Sequence, residues 1–522
     1  MTKKDGSGTS ESVTPISRRR PAVLWVGVVL LAGLGIRIAL GVATPKWGYT
    51  WDHFDNIGTG LTAEKNGLLR IYSVDRDDLA VVHGRVWRVQ AEQFVPMDRK
   101  AATPPNYPPL YVLARWVQVK VLRVVQGGDI FANTVAARLI MSTLSFVAEL
   151  ATAIGVMLLA WRLFGQRVGL IAGAVAWLFP PIMLNGVFWG QVDALILAPT
   201  VFAVWLMLRR EWVWAGVCVG LAMMLKPQGV LLGPVVLFAG FALAKEAGPA
   251  WRQVIVRLVK VGLAALAVIV VVAGAWMAAE GLAWLDRSYL MSFTEAFPYT
   301  TLKGFNVWYV DLLRLDARGA AEPMNSQVEV CGISKDLWGR TALLGSLAAA
   351  AALSWWRYRR VELGVVIFAA IWLWSIYIWP TRVHERFLIY CTPLVIVLAV
   401  GSWRCLPALV GLIVVGIAAH TWPLWLGTSA GAFSPRMVDA YYQAMENAYR
   451  QRAGEFGGRR VDPPTRQDAA RVVWERYRQA RRDVARSEWL ITVISLASYA
   501  WMWPAAFAVG SGAAMSGRRR KT

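Results

Sequence analysis

Two kinds of charged side chain lie at the edges of long apolar runs in this sequence, and together they could carry out group transfer. Asp52 and Asp55 are carboxylates that could remove a proton from an acceptor hydroxyl. Lys226 and Arg386 are cations that could hold a phosphate, and they could also stabilise the negative charge on a departing phosphate. Proton removal at one end and phosphate departure at the other predict transfer of a group from a lipid phosphate.

The elements that position these residues are predicted to be membrane-spanning helices. Of the 522 residues, 57% are hydrophobic and only 17% are charged, whereas soluble domains have about 25% charged residues. The apolar residues form continuous runs, and about 20 of them cross the hydrocarbon core of a bilayer as a helix. We therefore expect an all-α integral membrane protein, a polytopic bundle of about 12 helices. The predicted spans lie near residues 22–44, 136–161, 168–187, 192–208, 211–226, 229–244, 259–279, 341–356, 362–380, 387–403, 405–426 and 489–510.

Basic residues predict the side of the membrane on which each connection lies. If the N-terminus is cytoplasmic, every short connection on that side carries Lys or Arg, as the positive-inside rule requires. Arg209 and Arg210 are one example, and Arg518 to Lys521 are another. Both termini are therefore predicted to be cytoplasmic. Because much of the net charge of +22 lies in these connections, we expect no nucleic-acid partner.

This topology places five polar motifs on the same, extracytoplasmic face. They are Trp51–Asp55, Asn106–Leu110, Trp189–Asp193, Lys226–Gln228 and His384–Arg386. Ionisable groups at membrane depth are costly and usually face a cavity, so the motifs predict one active-site pocket. Each motif alone could instead solvate a loop, cap a helix or, for the lysine, extend from a helix end to water. No tight cluster of hard oxygen ligands is evident beyond Asp52 and Asp55, so no metal is demanded, and a divalent cation is left open.

The ordered motifs resemble those of the GT-C glycosyltransferases that use polyprenyl-phosphate sugars. The most similar groups are the dolichyl-phosphate-glucose-dependent glucosyltransferases and the bacterial mannosyltransferases related to the second GPI mannosyltransferase. The resemblance extends from about residue 22 to about residue 400. It is carried by Trp51–Asp55, Asn106–Leu110, Gly190–Asp193 followed by Leu225–Gln228, Phe305–Trp308 and Val383–Arg386.

The resemblance implies a role for each motif. Asp52 is the candidate general base and Asp55 its competitor. Lys226 and Arg386 would hold the donor phosphate, and His384 would contact the phosphate or the sugar. Residues implied to position the substrates are Tyr107, Gln191, Asp193, Gln228, Asn306, Trp308 and Glu385.

The resemblance also implies the reaction and its partners. Family members generally invert the anomeric centre in one displacement, which needs one base and no second nucleophile. The expected donor is a polyprenyl-phosphate sugar, with mannose favoured and glucose left open. The acceptor would be a glycan, a lipid or a protein, and the bilayer itself is the remaining partner. No cofactor is required by this reaction.

A transporter or a flippase for lipid-linked oligosaccharides is the main alternative. Such a protein would bind its substrate near the middle of the spans, at the interface of two repeats. Most of the polar motifs lie instead at helix ends, which favours an enzyme. Arg37 and Glu149 are counterexamples inside predicted spans, and they could either join two helices or line a donor cavity. A phosphoethanolamine or acyl transferase would need an activated nucleophile that is not evident.

The sequence predicts four regions in this order. Residues 1–21 would be a disordered cytoplasmic tail, and residues 22–426 the catalytic core with large outer segments at 45–135 and 280–340. Residues 427–488 would form a basic helical outer loop, either a solvated cap or a grip on an anionic acceptor or lipid headgroups. Residues 489–522 would be the last helix and a basic cytoplasmic tail. The expected location is a bacterial plasma membrane, with the endoplasmic reticulum as the alternative.

Overall fold

The computed structural model describes most of the apolar part of the chain. The continuous described ranges are residues 20–48, 50–88, 93–100, 105–245, 251–291, 300–302, 304–313, 326–358, 360–429 and 485–518, with a few isolated residues between 442 and 475. The predicted N-terminal tail lies almost wholly outside these ranges. Most of the predicted basic loop 427–488 lies outside them as well, so its helical character stays a prediction.

Helices dominate the described residues, which confirms the predicted fold class. Seven of them are long and apolar enough to cross a membrane, one bent pair would be an eighth span, and three shorter apolar helices accompany them. Each of the twelve predicted spans coincides with helical residues. The helices are α1 (Arg20–Trp47), α2 (Trp51–Asn66), α3 (Pro109–Gln126), α4 (Val135–Phe164), α5 (Gln166–Trp177), α6 (Pro180–Met183), α7 (Ala194–Leu208), α8 (Trp212–Leu225), α9 (Gly233–Lys245), α10 (Trp251–Glu280), α11 (Ala283–Leu285), α12 (Tyr309–Leu313), α13 (Lys335–Arg357), α14 (Val361–Ile378), α15 (Thr392–Gly401), α16 (Leu406–Ser429) and α17 (Ala485–Arg518).

Local sequence sets several of the helix ends. Thr134 caps α4 because its side chain accepts a hydrogen bond from the backbone N–H of Ala137, and Ser334 caps α13 in the same way. Gly127 ends α3 with a φ of 76°, a left-handed conformation that a residue with a Cβ adopts at a cost. Prolines begin α3 and α6, where the missing N–H would have no partner in the helix.

The predicted span at residues 168–187 is broken rather than continuous. α5 ends at Trp177, and α6 continues into a π-helix, Leu184–Phe188, with a bend of 40° between the two parts. Phe179 is extended because the following Pro180 disfavours a helical conformation for it. The span predicted at 387–403 is likewise a 3₁₀ segment, Glu385–Tyr390, followed by α15.

The first large segment after α1 contains structure that the sequence analysis did not predict. The strands β1 (Val81–Arg88) and β2 (Gln93–Lys100) pair antiparallel, and β1 also pairs with the short β3 (Phe131–Ala132). α2 and α3 pack beside this hairpin, with Phe54, Val82 and Val119 in one shared core. Short 3₁₀ turns at Leu68–Ser73 and Arg76–Asp78 connect α2 to the hairpin.

The main core lies where α14 and α15 are enclosed by other helices. Every residue of α14 from Leu363 to Ile378 is buried. Phe368 of α14 stacks on Phe238 of α9 with ring centroids 4.2 Å apart. An apolar helix buried on all sides is the expected centre of a membrane bundle.

A short parallel pairing joins the second large segment to the end of α14. β4 (Thr301–Leu302) pairs with β7 (Val383–His384), so that Leu302 lies opposite His384. A second small hairpin, β5 (Glu329–Val330) with β6 (Ile333–Ser334), leads into α13. The β4–β7 pairing places the segment that contains Asn306 next to the His384 motif.

Candidate active site

Asp193, at the start of α7, is the centre of the candidate site. Its side chain is fully buried. One carboxylate oxygen, Oδ1, forms an ion pair with Lys226 and accepts a hydrogen bond of 2.6 Å from the Tyr390 hydroxyl. The other, Oδ2, lies 3.3 Å from Nε of Arg386. Three segments far apart in the sequence therefore meet at one carboxylate.

The charges in this group determine its protonation. Lys226 and Arg386 both lie against the carboxylate of Asp193, so their positive charges offset the cost of burying its negative charge. Asp193 in turn supplies the counter-charge of the buried Lys226 ammonium. The ammonium also lies 5.8 Å from the ring centroids of both Tyr107 and Tyr390. At neutral pH the group is therefore one carboxylate shared by two cations.

Asp193, Lys226 and Arg386 together form the cation cluster, and the His384–Arg386 motif supplies the second of its two cations. Arg386 Nη1 lies 3.4 Å from Oε1 of the buried Glu385, and His384 Nδ1 lies 3.8 Å from Oε2 of Glu385. Burial would raise the pKa of Glu385, but His384 and Arg386 lower it to about 2. The pKa of His384 is lowered by burial and by the charge of Arg386. Arg386 is thus held between two carboxylates, those of Asp193 and Glu385.

Asp52, in the first turn of α2, lies close to this cluster. Its Oδ2 accepts a hydrogen bond of 2.5 Å from the indole N–H of Trp189. Burial would lower the pKa of Arg386, but the negative charges of Asp193 and Asp52 outweigh burial and raise it. The carboxylate of Asp52 is therefore within electrostatic reach of Arg386, and its side chain remains partly exposed.

Asp55, one helical turn later, has different surroundings. Its Oδ1 lies 3.4 Å from Nη2 of Arg99 on β2. The Arg99 guanidinium in turn lies 3.9 Å from the ring centroid of Trp51. Asp55 is therefore tied to the hairpin, whereas Asp52 is tied to Trp189 and the cation cluster.

Tyr107 lies next to Lys226, and Gln191 and Gln228 are each two residues along the chain from Asp193 and Lys226. The ring of Tyr107 packs against that of Tyr111 with centroids 4.4 Å apart. Gln191 is fixed through its backbone, since its N–H donates to the carbonyl of Asn185 over 2.9 Å. Gln228 Oε1 is buried, and no hydrogen-bond donor reaches it within the described part of the chain.

Asn306 and Trp308 lie beside the His384 motif rather than at Asp193. The indole N–H of Trp308 donates to the carbonyl of Trp379 over 2.6 Å. Asn306 Oδ1 accepts from the backbone N–H of Trp308, and its Nδ2 lies 3.5 Å from the carbonyl of Pro380. Their contacts hold the loop after β4 against the end of α14.

Tyr390, Asn185 and His420 take part in this network and were not predicted from the sequence, whereas Trp189 belongs to a predicted motif but was given no role. Tyr390 binds Asp193, and Trp189 binds Asp52, as described above. Asn185 and His420 form a hydrogen bond of 3.1 Å just behind Asp193. His420 could have been found, because it is a polar residue inside an apolar run, the same signal that drew attention to Arg37 and Glu149. No sequence pattern distinguishes Tyr390 from a core tyrosine.

Arg37 and Glu149, the two charged residues inside predicted spans, bind each other. Arg37 Nε lies 2.6 Å from Glu149 Oε2, and both side chains are fully buried. The pair joins α1 to α4. Within the described ranges, no group of three or more His, Cys, Asp or Glu residues is arranged to hold a metal ion.

A protein-family comparison matches the segment that contains Asp193 and Lys226. Residues 129–276 match the family of dolichyl-phosphate-mannose-protein mannosyltransferases. This match confirms, over that segment, the resemblance to GT-C transferases predicted from the motifs, and it supports a membrane glycosyltransferase. The matched residues are well under half of the chain and do not include Asp52 or Arg386. No curated protein matches the sequence significantly.

Three solved structures are similar to the chain at low sequence identity. ArnT from Cupriavidus metallidurans in the apo state is 14% identical, with a TM-score of 0.41 over 94% of this chain and 78% of that one. The same protein bound to undecaprenyl phosphate is also 14% identical, with a TM-score of 0.40 over 93% of this chain and 78% of that one. The third is the Archaeoglobus fulgidus oligosaccharyltransferase, tethered to an acceptor peptide that contains the NVT sequon. It is 13% identical, with a TM-score of 0.37 over 84% of this chain and 59% of that one. TM-scores in this range are too low to relate individual residues.

Proposed function

We propose that this protein is an inverting glycosyltransferase that moves a sugar from a polyprenyl-phosphate donor to an acceptor hydroxyl. The observation that carries the proposal is that a partly exposed carboxylate, Asp52, lies within electrostatic reach of the buried Lys226 and the mostly buried Arg386. Mannose is the favoured sugar, in keeping with the matched family, and glucose is the competitor. The acceptor is a hydroxyl of a glycan, a lipid or a protein.

Lys226 and Arg386 are assigned to the donor phosphate. An ammonium has three N–H donors and a guanidinium has five, so binding to Asp193 and Glu385 does not use all of them. Asp193 fixes the direction of both cations, because each of them is ion-paired with its carboxylate. Preorganised cations of this kind stabilise the charge on a departing phosphate.

Asp52 is assigned as the general base. Its carboxylate takes the proton of the acceptor hydroxyl while the acceptor oxygen forms a bond to the anomeric carbon. The bond between that carbon and the donor phosphate oxygen breaks, and its electron pair stays on the phosphate. Polyprenyl phosphate then leaves with one more negative charge than the donor had. Asp55 fits this role less well because Arg99 of the hairpin binds it.

The remaining predicted residues are assigned to substrate positioning. His384 contacts the phosphate or the sugar, and Tyr107 and Gln228 border the space around Lys226. The reaction takes place on the extracytoplasmic face, as the distribution of basic residues favours. We assign the site to the core, residues 22–426, in a bacterial plasma membrane, with both termini cytoplasmic.

A transfer assay in lipid nanodiscs tests the proposal. The purified protein would be incubated with labelled polyprenyl-phosphate mannose or polyprenyl-phosphate glucose and a membrane extract as the acceptor pool. We expect the wild type to consume one donor, and Asp52→Asn to lower the rate by about 100-fold or more, because the amide cannot take a proton. Asp52→Asn preserves the shape of the side chain and can still accept from Trp189.

Asp55→Asn is the matched control, one helical turn away. We expect it to retain most of the transfer rate. Full activity of Asp52→Asn with loss in Asp55→Asn would move the base to Asp55. Full activity in both variants, or no turnover of either donor by folded wild-type protein, would contradict the proposed mechanism.

A further inference from the structure

His420 is a buried histidine inside the apolar helix α16, and the proposed reaction does not use it. Its Nδ1 lies 2.6 Å from the carbonyl oxygen of Gly416. A carbonyl oxygen can only accept, so Nδ1 carries the proton, and in the neutral ring Nε2 must then be an acceptor. The helix backbone thus fixes the tautomer of this imidazole.

Asn185 donates a hydrogen bond to Nε2 of His420. Its Nδ2 lies 3.1 Å from Nε2 of His420 and 3.4 Å from Oδ2 of Asp193. Both of these atoms accept hydrogen bonds, so the NH₂ end of the amide must face them, and the side chain has a single orientation. Asn185 lies in the π-helix Leu184–Phe188, an irregularity that occurs frequently at functional sites.

The same imidazole also contacts the other half of the site. Its ring meets the indole of Trp189 edge-on, with centroids 5.9 Å apart and an interplanar angle of 88°. Trp189 donates the 2.5 Å hydrogen bond to Asp52. One buried ring therefore touches both the residue that holds Asp52 and the residue that steadies Asp193.

We propose that His420 is a positioning residue, which fixes Asp52 and the Asp193 cation cluster relative to each other through Trp189 and Asn185. This inference rests on the proposed transferase function. The base and the phosphate-binding cations must act on the same sugar at once, so their separation must be held. Displacement of a reacting group by about 1 Å can cost about 100-fold in rate.

The test compares two replacements of His420 with a neighbouring control. His420→Leu removes the acceptor for Asn185, whereas the Oε1 of Gln in His420→Gln can take the place of Nε2. We expect His420→Leu to lower kcat by about 100-fold and His420→Gln to recover about a tenth or more of the wild-type value. The donor KM should change by less than about threefold, since the cations themselves remain.

Thr421→Val is the matched control. Thr421 is the next residue of α16 and is half-buried, and among the residues that the structure describes its hydroxyl donates only to the carbonyl of Ile417 in its own helix. We expect wild-type kcat for this variant. A loss of kcat in Thr421→Val equal to that in His420→Leu would overturn the proposal, because the effect would then come from general disturbance of α16. So would a His420→Gln variant as impaired as His420→Leu.

A double-variant cycle separates positioning from general loss of stability. Asn185→Ser breaks the same connection from the other side, and it also carries the test if His420→Leu does not fold. We expect the combined loss of kcat in Asn185→Ser with His420→Leu to be much smaller than the product of the single losses. Losses that multiply would overturn the inference.

Failure of this inference can be told apart from failure of the proposed function. If wild type transfers sugar and Asp52→Asn does not, while folded His420→Leu transfers at the wild-type rate, only the role of His420 is wrong. If folded wild type transfers from neither donor, the function and this inference fail together.

Discussion

Two buried ion-pair clusters of this protein have similar composition and different architecture. In the Arg37–Glu149 pair, the arginine also donates to the carbonyls of Gly33 and Trp177 at 3.0 and 2.9 Å. Its guanidinium lies 3.6 Å from the Trp177 ring centroid. Each of the three nitrogens of this guanidinium therefore donates to a protein atom, and the Trp177 ring lies against one of its faces.

The Asp193 cluster uses its charges differently. One carboxylate is shared by Lys226, Arg386 and Tyr390, so the two cations keep donors for something else. A further carboxylate, Asp52, lies nearby and is partly exposed. The comparison teaches that a buried charge at membrane depth indicates a site when several charges share one partner beside a partly exposed carboxylate, and not when one cation simply joins two helices.

The largest expected effect concerns a cation of the Asp193 cluster. Lys226→Gln should lower kcat/KM for the lipid-phosphate donor by about 10²–10³-fold, because one preorganised positive charge at the departing phosphate is lost. Lys120→Gln, which removes an exposed lysine paired with Glu64, is the control and should leave kcat/KM near the wild-type value. Steady-state transfer rates at varied donor concentration would measure both. If Lys226→Gln and Lys120→Gln lowered kcat/KM equally, Lys226 would contribute only to the net charge of the protein and would not bind the donor phosphate.

The pH dependence of donor use should follow Lys226. Only the protonated ammonium is a cation that can hold a phosphate, and Asp193 is its counter-charge. We therefore expect kcat/KM for the donor to fall by about tenfold per pH unit once the pH exceeds the pKa of Lys226. Lys226→Arg should move this fall to higher pH, because a guanidinium stays charged. An unchanged profile in Lys226→Arg would assign the fall to another group.

A smaller effect is expected where the π-helix packs against α4. A Cβ on Gly186 would come within 2.2 Å of Glu149 Oε1 and 3.0 Å of Ser145 Cβ. Gly186→Ala should therefore lower the free energy of unfolding by about 1–3 kcal/mol. Gly35→Ala on α1, where a Cβ would meet nothing within 4 Å, is the control. Thermal unfolding in detergent would compare them, and equal stability would show that the π-helix can shift freely.

The smallest effect is expected at an exposed ion pair of the hairpin. His83 Nδ1 lies 2.9 Å from Asp98 Oδ1, and both side chains are more than half exposed. Asp98→Asn should change the free energy of unfolding by less than about 1 kcal/mol. The same unfolding measurement applies. A larger change would place the hairpin among the elements that stabilise the core.

The sequence was sufficient to predict the helices, because an apolar run long enough to cross a membrane has few alternative structures. It did not predict the β1–β2 hairpin, since those strands are partly polar and lie between α2 and α3. The break at Phe179 could have been predicted from Pro180 and Pro181. Such a bend is not apparent when an apolar run is assessed only by its hydrophobicity.

The candidate site was predictable in part for a similar reason. Asp52, Lys226 and Arg386 are charged residues at the ends of apolar runs, so their positions could be compared under one topology. Tyr390 and Asn185 have no such signature, because an ordinary core could contain either. Which of Asp52 and Asp55 lies near the cations depends on the rotation of α2 against the hairpin and Trp189, and no local pattern determines that rotation.

The most direct test of the account compares Asp193→Asn with Glu149→Gln in the same nanodisc assay, with the folded fraction of each variant measured by thermal unfolding. We expect Asp193→Asn to lose about 100-fold or more in transfer rate per folded molecule, because Lys226 and Arg386 lose the carboxylate that directs them. We expect Glu149→Gln to be clearly less stable, since it leaves the buried Arg37 without its counter-charge, but to transfer at close to the wild-type rate per folded molecule. A fully active Asp193→Asn, or a stable but inactive Glu149→Gln, would contradict the assignment of one cluster to catalysis and the other to the fold.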